Sequence, residues 1–426
     1  MAVTSQRRRL LFLSPVMPAD RGNGLAMRIG FFLDAYFREF DIDLAVIPIV
    51  SAPESGLDFV RKRVARLELF AHPQPDSHLS LVMALEDPAT RLAAFRRYGR
   101  PSLAGFVHDP IRDALSARMP IVMYDFVHVS RLYMAGLVQP WLSRRVAKRP
   151  HLVIDCDEDD REAYRRIAAI EHKRGWEHRA AWAETEAEAF GKLACDLLPG
   201  FDLGFAASSA EAQSIAPRLP KVLPIPNVLP HPVLWLRRCR TTDVKTVVFV
   251  GTMGYPPNDD GVRWLLTAIW PRLRRAFDQP LRLVVVGSNP GPTIIRLGHR
   301  YDVRVTGTVA DVGRFYRRAD LAVVPIRAGG GTRFKLIEAA AWRVPIVSTS
   351  FGASGTTFRD GQDLLIADTA DKFARSCATV LKSDALAGRL AGGARRRITQ
   401  NYGHDRWVQR VLRAIDEIEH RSLAQR

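Results

Sequence analysis

Residues 320–355 combine a buried strand, a glycine-rich turn, a helix and a second strand. The mostly small and β-branched apolar residues at 321–326 predict a strand that is buried on both faces. A glycine triplet follows, and Thr332 is a suitable N-cap for the next helix, which Pro345 ends. Residues 346–350 predict a parallel strand. The stretch is therefore a βαβ unit, which favours an α/β fold.

The first turn of this helix carries cations where the helix dipole is already positive. Arg333 and Lys335 would each cost roughly 0.3–1 kcal/mol there if nothing compensated them. An anion bound by the turn amides and both cations would compensate them. Glu338 follows one turn later, where a sugar hydroxyl could be its partner. We predict a phosphate-binding turn, although the glycines alone fit a simple tight turn equally well.

The length and charge of the chain restrict its class. With 426 residues it is longer than one core usually grows, so two domains are expected. The net charge of +17 fits nucleic acid, an anionic membrane surface or acidic ligands. The basic residues are scattered in short runs, without an RNA-module signature or zinc-finger spacing. The sequence therefore does not favour nucleic acid as a partner.

The cysteines and the apolar segments give information on the cellular location of the protein. The 4 cysteines form no CxxC pair, which favours a reduced cytoplasmic setting and neither a disulfide framework nor a zinc site. No uninterrupted apolar segment reaches the ~18–20 residues needed to span a bilayer. Residues 59–71 predict a basic amphipathic helix that could lie on an anionic membrane, although a solvated face of a packed helix is the commoner outcome. We expect a cytoplasmic protein that is peripheral on the inner face of the cell membrane.

Predicted strands and helices alternate on both sides of a proline-rich segment. This pattern indicates two Rossmann-like, doubly wound domains facing one another across a cleft. The predicted divisions are an N-terminal domain, a hinge, a C-terminal domain and a helix that braces the domains: 1–222, 223–243, 244–402 and 403–426.

Ligands of such sheets bind outside the carboxyl ends of the strands. Gly251, Thr252, Gly307 and the glycine triplet all follow predicted strands and can converge there. In the first half, the loop from Gly22 to Gly24 follows the first strand, but it lacks the third glycine of a dinucleotide motif. A flexible loop explains it equally well.

Two further positions in the first half have more than one interpretation. His128, near the end of a predicted strand, could be a catalytic base, but a satisfied core histidine is commoner. Asp155 and Asp157 could share a divalent cation. Acidic residues that precede a helix N-terminus explain them better.

Several segments of the second half resemble family 4 glycosyltransferases of the GT-B fold, in the bacterial polysaccharide branch with a GGGTR-K donor loop. They are FVGTMGYPPNDDGVRWL, VVVGSNP, the stretch at 320–355 and GQDLLIADTADKFA, with LPIPNVL as the linker. The resemblance implies a sugar transferase that uses a nucleotide-sugar donor, a glycan or polyprenyl-linked acceptor, no cofactor and no essential metal. It also implies retention of anomeric configuration, an acceptor-side N-terminal domain and a donor-binding C-terminal domain.

The resemblance also assigns residues. Glu338 matches the second acid of the E-x7-E motif, which binds ribose, while Gly330 stands at the position of the first acid. The diphosphate or sugar is expected at the donor loop, namely Gly330, Gly331, Thr332, Arg333 and Lys335. The base is expected at Thr306, Gly307 and Thr308, and other cleft positions are Gly22, Asn23, Gly24, Gly251, Thr252 and Asn258.

Two departures from the family pattern limit these assignments. Thr252 stands where an arginine is usual, so Arg333 and Lys335 would take over the phosphate. Ser130 stands where a histidine is usual, which leaves His128 as a weak catalytic candidate. The alternatives to a transferase are a nucleotide-sugar epimerase of the same fold and a non-catalytic nucleotide- or polyanion-binding protein.

Overall fold

The computed structural model describes residues 7–22, 24–49, 56–143, 149–229, 244–330 and 334–424. These residues form two compact units. One unit comprises the chain up to Ile225 together with the segment from Asp405, and the other runs from Pro226 to His404. Residues 230–243 of the predicted hinge lie outside the described residues.

The first unit is built on a seven-stranded parallel sheet with the strand order β3-β2-β1-β4-β5-β6-β7. Its strands are β1 Arg8–Ser14, β2 Phe40–Val46, β3 Arg66–Leu69, β4 Phe126–Ser130, β5 His151–Asp157, β6 Leu203–Ala206 and β7 Val222–Pro224. Its helices before the crossover to the second unit are α1 Gly24–Tyr36, α2 Leu57–Arg61, α3 Ser77–Ala84, α4 Pro88–Tyr98, α5 Asp109–Arg118, α6 Asp160–Lys173, α7 Glu177–Leu197 and α8 Ser209–Ile215.

The second unit is built on a six-stranded parallel sheet with the strand order β10-β9-β8-β11-β12-β13. Its strands are β8 Lys245–Val250, β9 Leu281–Val286, β10 Arg304–Val305, β11 Leu321–Val324, β12 Ile346–Ser348 and β13 Leu365–Ile366. Its helices are α9 Pro256–Trp264, α10 Trp270–Ala276, α11 Pro292–Arg300, α12 Gly313–Tyr316, α13 Phe334–Ala341, α14 Ser350–Ala353, α15 Ala370–Lys382 and α16 Asp384–Asn401. Both sheets are parallel with helical crossovers, which confirms the predicted α/β class.

The predicted basic helix at 59–71 is wrong. Its first part is the short helix α2, and its last part is strand β3, which pairs in parallel with β2. Hydrogen bonding to a neighbouring strand, distant in sequence, outweighs the local helical period. The basic side chains do not share one face: Arg63 binds the carboxylate of Asp34, and Arg66 binds Glu68. The structural basis for a membrane-lying helix at this position is therefore lost.

The last helix, α17 (His404–Ala424), belongs almost entirely to the first unit. Trp407 is buried, with its ring centroid 6.0 Å from that of Phe31 and 4.9 Å from that of Phe32. Near the other end of the helix, the Arg8 guanidinium donates to both Asp416 and Glu419. The first unit is thus completed by residues from the end of the sequence. Among the helices that the structure describes, none combines the length and the apolar character needed to cross a membrane.

Candidate functional site

Lys335 joins three elements at the carboxyl edge of the second sheet. It lies in the first turn of α13, and its Nζ donates to Asn258 Oδ1 at 2.6 Å. Asn258, in the first turn of α9, donates in turn from Nδ2 to the main-chain oxygen of Thr252 at 2.8 Å. The Lys335 Nζ also lies 4.9 Å from the centroid of the Phe249 ring, on β8. The structure thus brings together the predicted residues Thr252, Asn258 and Lys335.

Glycines allow the backbone to come close at this edge. Gly287, directly after β9, has a φ of 147°, and a β-carbon there would collide with the main-chain oxygen of Gly251. A β-carbon on Gly251 would lie 3.1 Å from the Lys335 Nζ and from the Asn258 side chain. A larger residue at Gly251 would therefore crowd the ammonium group. The sequence prediction included Gly251 but missed Gly287.

Glu338 lies one turn beyond Lys335. Its Oε2 accepts a hydrogen bond from the Tyr316 hydroxyl at 3.3 Å. Part of the Glu338 surface is accessible, but protein surrounds the carboxyl closely enough that desolvation raises its pKa to about 7. The Tyr316 hydrogen bond and the charge of Lys335 lower this pKa, while Asp311 raises it. Sequence reasoning missed Tyr316, because nothing in its own segment pairs it with a helix that begins 18 residues later.

The remaining predicted donor positions are described only in part. Gly331, Thr332 and Arg333 lie outside the described residues, whereas Gly330 is described and follows Gly329, whose φ is 102°. Thr306 follows β10, donates its N–H to Val285 O at 3.0 Å and donates its hydroxyl to Gly307 O at 2.9 Å. Together with Thr308, these residues lie at the same carboxyl edge of the sheet as Gly251, because all the strands run parallel.

Of the loop predicted in the first unit, Gly22 and Gly24 are described and Asn23 is not. Gly22 has a φ of 109°, in the region that favours glycine, and Gly24 is the first residue of α1. No described contact ties either residue to a ligand-binding role, so their part in the site stays a prediction.

His128 lies in the aromatic core of the first unit. It is fully buried on β4, its Nδ1 is 3.0 Å from the Tyr36 hydroxyl, and its ring packs against Phe12 and Phe32. Burial, with a further contribution from the charge of Arg28, lowers its pKa to about 3. The side chain has no exposed surface from which to reach a substrate. The interpretation of His128 as a core histidine therefore fits the structure better than a catalytic base.

Asp155 and Asp157 bind arginines. The Arg28 Nε and Nη2 donate to the two carboxylate oxygens of Asp155 at 2.7 Å each, and both side chains are fully buried. Arg131 donates to Asp157 at 3.2 Å and to Asp160 at 2.6 Å. Asp155 and Asp157 both precede α6, as the sequence interpretation expected, and the first turn of that helix holds the acidic residues Asp160 and Glu162. No group of three or more potential metal-ligating side chains occurs among residues the structure describes.

The backbone around this cluster is strained. Arg131 has φ 76° and ψ 142°, and Asp157 has a φ of 61°, conformations that are rare for residues other than glycine. Desolvation raises the pKa of Asp160 to about 7, although the charge of Arg131 lowers it. Asp159 supplies the cap of α6 by accepting from the N–H groups of Arg161 and Glu162.

One family model matches most of the second unit. Residues 244–383 match the family model described as Glycosyl transferases group 1. This segment contains Gly251, Asn258, Lys335 and Glu338. The chain is also 23% identical over 192 residues to an uncharacterised 44.6 kDa protein in the cps region of Klebsiella pneumoniae. That match spans 43% of this chain and about half, 48%, of the relative's length.

Solved structures share the fold over nearly the whole chain. The Anabaena protein Alr3699/HepE in complex with UDP-glucose has a TM-score of 0.65 at 14% identity and covers 96% of this chain and 99% of its own. Sucrose-phosphate synthase from Thermosynechococcus elongatus has a TM-score of 0.65 at 16% identity, with coverage of 98% and 100%. A TarM variant from S. aureus, in complex with fondaparinux, alpha-GlcNAc-glycerol and UDP, has a TM-score of 0.64 at 11% identity, with coverage of 95% and 99%. These likenesses confirm the predicted GT-B fold class.

Proposed function

We propose that this chain is a glycosyltransferase that moves a sugar from a UDP-sugar to a polysaccharide or polyprenyl-linked acceptor. The observation that carries the proposal is the convergence of Gly251, Asn258 and Lys335 at the carboxyl edge of the second sheet, inside the segment that matches glycosyl transferases group 1. The neighbours solved with UDP or UDP-glucose support a uridine donor. The relative in a cps region supports a role in polysaccharide and cell-envelope biosynthesis.

In this proposal the donor diphosphate binds at Lys335 and the start of α13. The ammonium group and the helix end supply positive charge where the leaving group becomes negative. The donor-loop residues Gly330, Gly331, Thr332 and Arg333 complete this site, as the family 4 resemblance implies. Glu338 accepts hydrogen bonds from the ribose hydroxyls, with the Tyr316 hydroxyl holding its carboxyl in place. The base lies against Thr306–Thr308.

The reaction exchanges one glycosidic bond for another. The bond between the anomeric carbon and the phosphate oxygen breaks, and its electron pair leaves with UDP. An acceptor hydroxyl oxygen forms the new bond to the anomeric carbon, and its proton passes to the phosphate oxygen that leaves. We propose retention of configuration, because the resemblance is to family 4. We also propose that no metal takes part, because Arg28 occupies both carboxylate oxygens of Asp155, one half of the acidic pair.

We further propose that the protein works in the cytoplasm, where nucleotide sugars are made, at the inner face of the membrane that carries lipid-linked acceptors. The net charge of +17 suits an anionic surface. Residues 59–71 are not part of the proposed membrane contact, because they do not form one basic helix.

The first test is a donor panel. UDP-, GDP- and dTDP-sugars are added to the full chain, and the melting temperature is measured, since a ligand that binds only the folded state raises it. We expect the UDP-sugars to raise the Tm and the others to leave it unchanged. Transfer of labelled sugar to a lipid-linked acceptor should then occur, with or without EDTA. A donor altered in the absence of any acceptor would favour an epimerase instead.

The second test compares two variants at the ribose position. Glu338→Gln keeps the shape of the side chain but removes its negative charge, so we expect the UDP-sugar Kd to rise by roughly tenfold or more. Tyr316→Phe removes only the hydroxyl that positions Glu338 and should have a smaller effect. Unchanged donor binding in Glu338→Gln would reject the ribose assignment.

A further inference from the structure

A cavity lies in the second unit, on elements that hold none of the predicted donor residues. Its volume is about 420 Å³, within the roughly 300–1,000 Å³ typical of ligand pockets. It is formed by one face of α16 and by the loop before β13. The residues that define it are Gly361, Asp363, Arg389, Gly393, Arg396 and Arg397.

Tight packing holds the two walls of the cavity together. A β-carbon on Gly393 would collide with the main-chain oxygen of Gln362, so glycine is needed for α16 to approach the loop. Asp363 is 3% exposed and accepts from Arg397 Nε at 3.0 Å and from the N–H of Arg359 at 2.9 Å. Arg397 is therefore neutralised by Asp363 and has a structural role.

Arg389 and Arg396 differ from Arg397 in their exposure and in their contacts. Both are exposed, and neither has a hydrogen-bond or ion-pair partner within the part of the chain that the structure describes. They are seven residues apart in α16, which places them on one face and roughly 10 Å apart along the axis. The N–H groups of Gly361 and Gln362 already donate to main-chain oxygens of Leu364 and Arg359. The cavity therefore offers an incoming anion side-chain donors, namely the amides of Gln362 and Gln400 and the charged guanidinium groups.

We propose that this cavity binds a phosphate- or diphosphate-bearing ligand through Arg389 and Arg396. Guanidinium groups present paired N–H donors that match phosphate oxygens, and their charge is not lost at any physiological pH. Two such groups spaced along one helix face suit an extended dianion better than a single small ion. The ligand is either a soluble phosphate compound or the phosphate headgroup of a lipid, and the chemistry of recognition is the same for both.

The test uses a double variant with a matched control. Arg389→Gln with Arg396→Gln removes two charges from the cavity, whereas Arg274→Gln with Arg375→Gln removes two charges from exposed positions of the same unit outside it. Arg397 is left in place, because its loss would leave Asp363 buried without a cation. The full-length proteins are titrated with inorganic pyrophosphate by calorimetry, and are sedimented with phosphatidylcholine vesicles with and without phosphatidic acid.

We expect the cavity variant to lose roughly tenfold or more in affinity for one of these probes, and the control to bind like the wild type. Loss for pyrophosphate identifies a soluble phosphate ligand, and loss confined to phosphatidic acid vesicles identifies a lipid headgroup. Equal binding by both variants, or no binding by the wild type, overturns the proposal. Because UDP-sugar turnover is measured separately, this result is independent of the proposed transferase activity.

Discussion

The ammonium group of Lys335 lies 2.6 Å from the side-chain oxygen of Asn258. Asn258 is almost fully buried, and its amide is held by the main-chain oxygen of Thr252. The asparagine therefore holds the Lys335 side chain in one orientation, whereas a lysine without this hydrogen bond would sample many rotamers. A cation fixed in advance near the end of β8 loses less entropy when an anion binds beside it.

Replacing Lys335 by methionine should weaken donor binding selectively. Methionine keeps an unbranched apolar side chain, while the ammonium group that lies 4.9 Å from the Phe249 ring centroid is lost. A charge-assisted hydrogen bond contributes about 1.5–3 kcal/mol, so we expect the Kd for a UDP-sugar to rise roughly 10- to 100-fold. The Kd for uridine, which has no phosphate, should stay the same. Lys372→Met, at an exposed position of the same unit, is the control. Equal losses for uridine and UDP-sugar would contradict the phosphate role.

Glu338 should make stability depend on pH. Its pKa is about 7 in the folded protein, against an ordinary value of 4.5, so the folded state binds the proton more tightly than the unfolded state does. The resulting stabilisation is fully present below about pH 4.5 and is lost as the pH rises through about 7. It amounts to at most roughly 3 kcal/mol. Urea unfolding at several pH values should show a steeper decline for the wild type than for Glu338→Gln, and identical slopes would refute the assignment.

Breaking the buried pair of Arg28 and Asp155 should be strongly destabilising. Arg28→Met leaves a carboxylate fully buried without its cation, which costs about 3–5 kcal/mol. Adding Asp155→Asn should restore part of that loss, because the uncompensated charge is gone. Arg165→Met, which breaks an exposed pair with Glu162, should cost under about 1 kcal/mol. Urea unfolding monitored by circular dichroism measures all three, and a mild effect of Arg28→Met alone would show that the pair is not buried.

Gly287 should not tolerate a side chain. Alanine there would need a φ near 147° and would push against Gly251, so the ends of β8 and β9 would have to separate. We expect both stability and donor affinity to fall. Gly388→Ala, at a helical position with open space around it, should be neutral or stabilising by up to about 1 kcal/mol. A Gly287→Ala protein with normal donor affinity would show that this edge is not part of the site.

Local signals predicted much of the fold. The apolar run at Lys245–Val250 forms β8, and Ser208, a residue type that favours helix N-caps, caps α8. Helices α6 and α7 are separated at Gly175, which has a φ of 71°. In each case the signal and the structure it produces lie within a few residues of each other, so one sequence is enough to interpret them.

The features that sequence analysis did not predict depend on contacts between segments that are distant in the chain. Strand β3 forms because β2 lies beside it, and Arg28 pairs with Asp155 across 127 residues. Tyr316 meets Glu338 only because α12 and α13 are brought together by the sheet. Such partners are chosen by tertiary packing and leave no spacing in the sequence. Lys335 could be singled out from the sequence because a cation in the first turn of a helix opposes the helix dipole, which is itself a local anomaly. Its role in donor binding stays a prediction.

The return of α17 to the first unit has a consequence for synthesis on the ribosome. The aromatic residues Phe31 and Phe32 emerge early, but Trp407, which covers them, is translated only after the whole second unit. During that interval the nascent chain exposes an apolar surface, which chaperones can bind and which otherwise promotes aggregation. The second unit, which is contiguous in sequence, is able to fold before the first is complete.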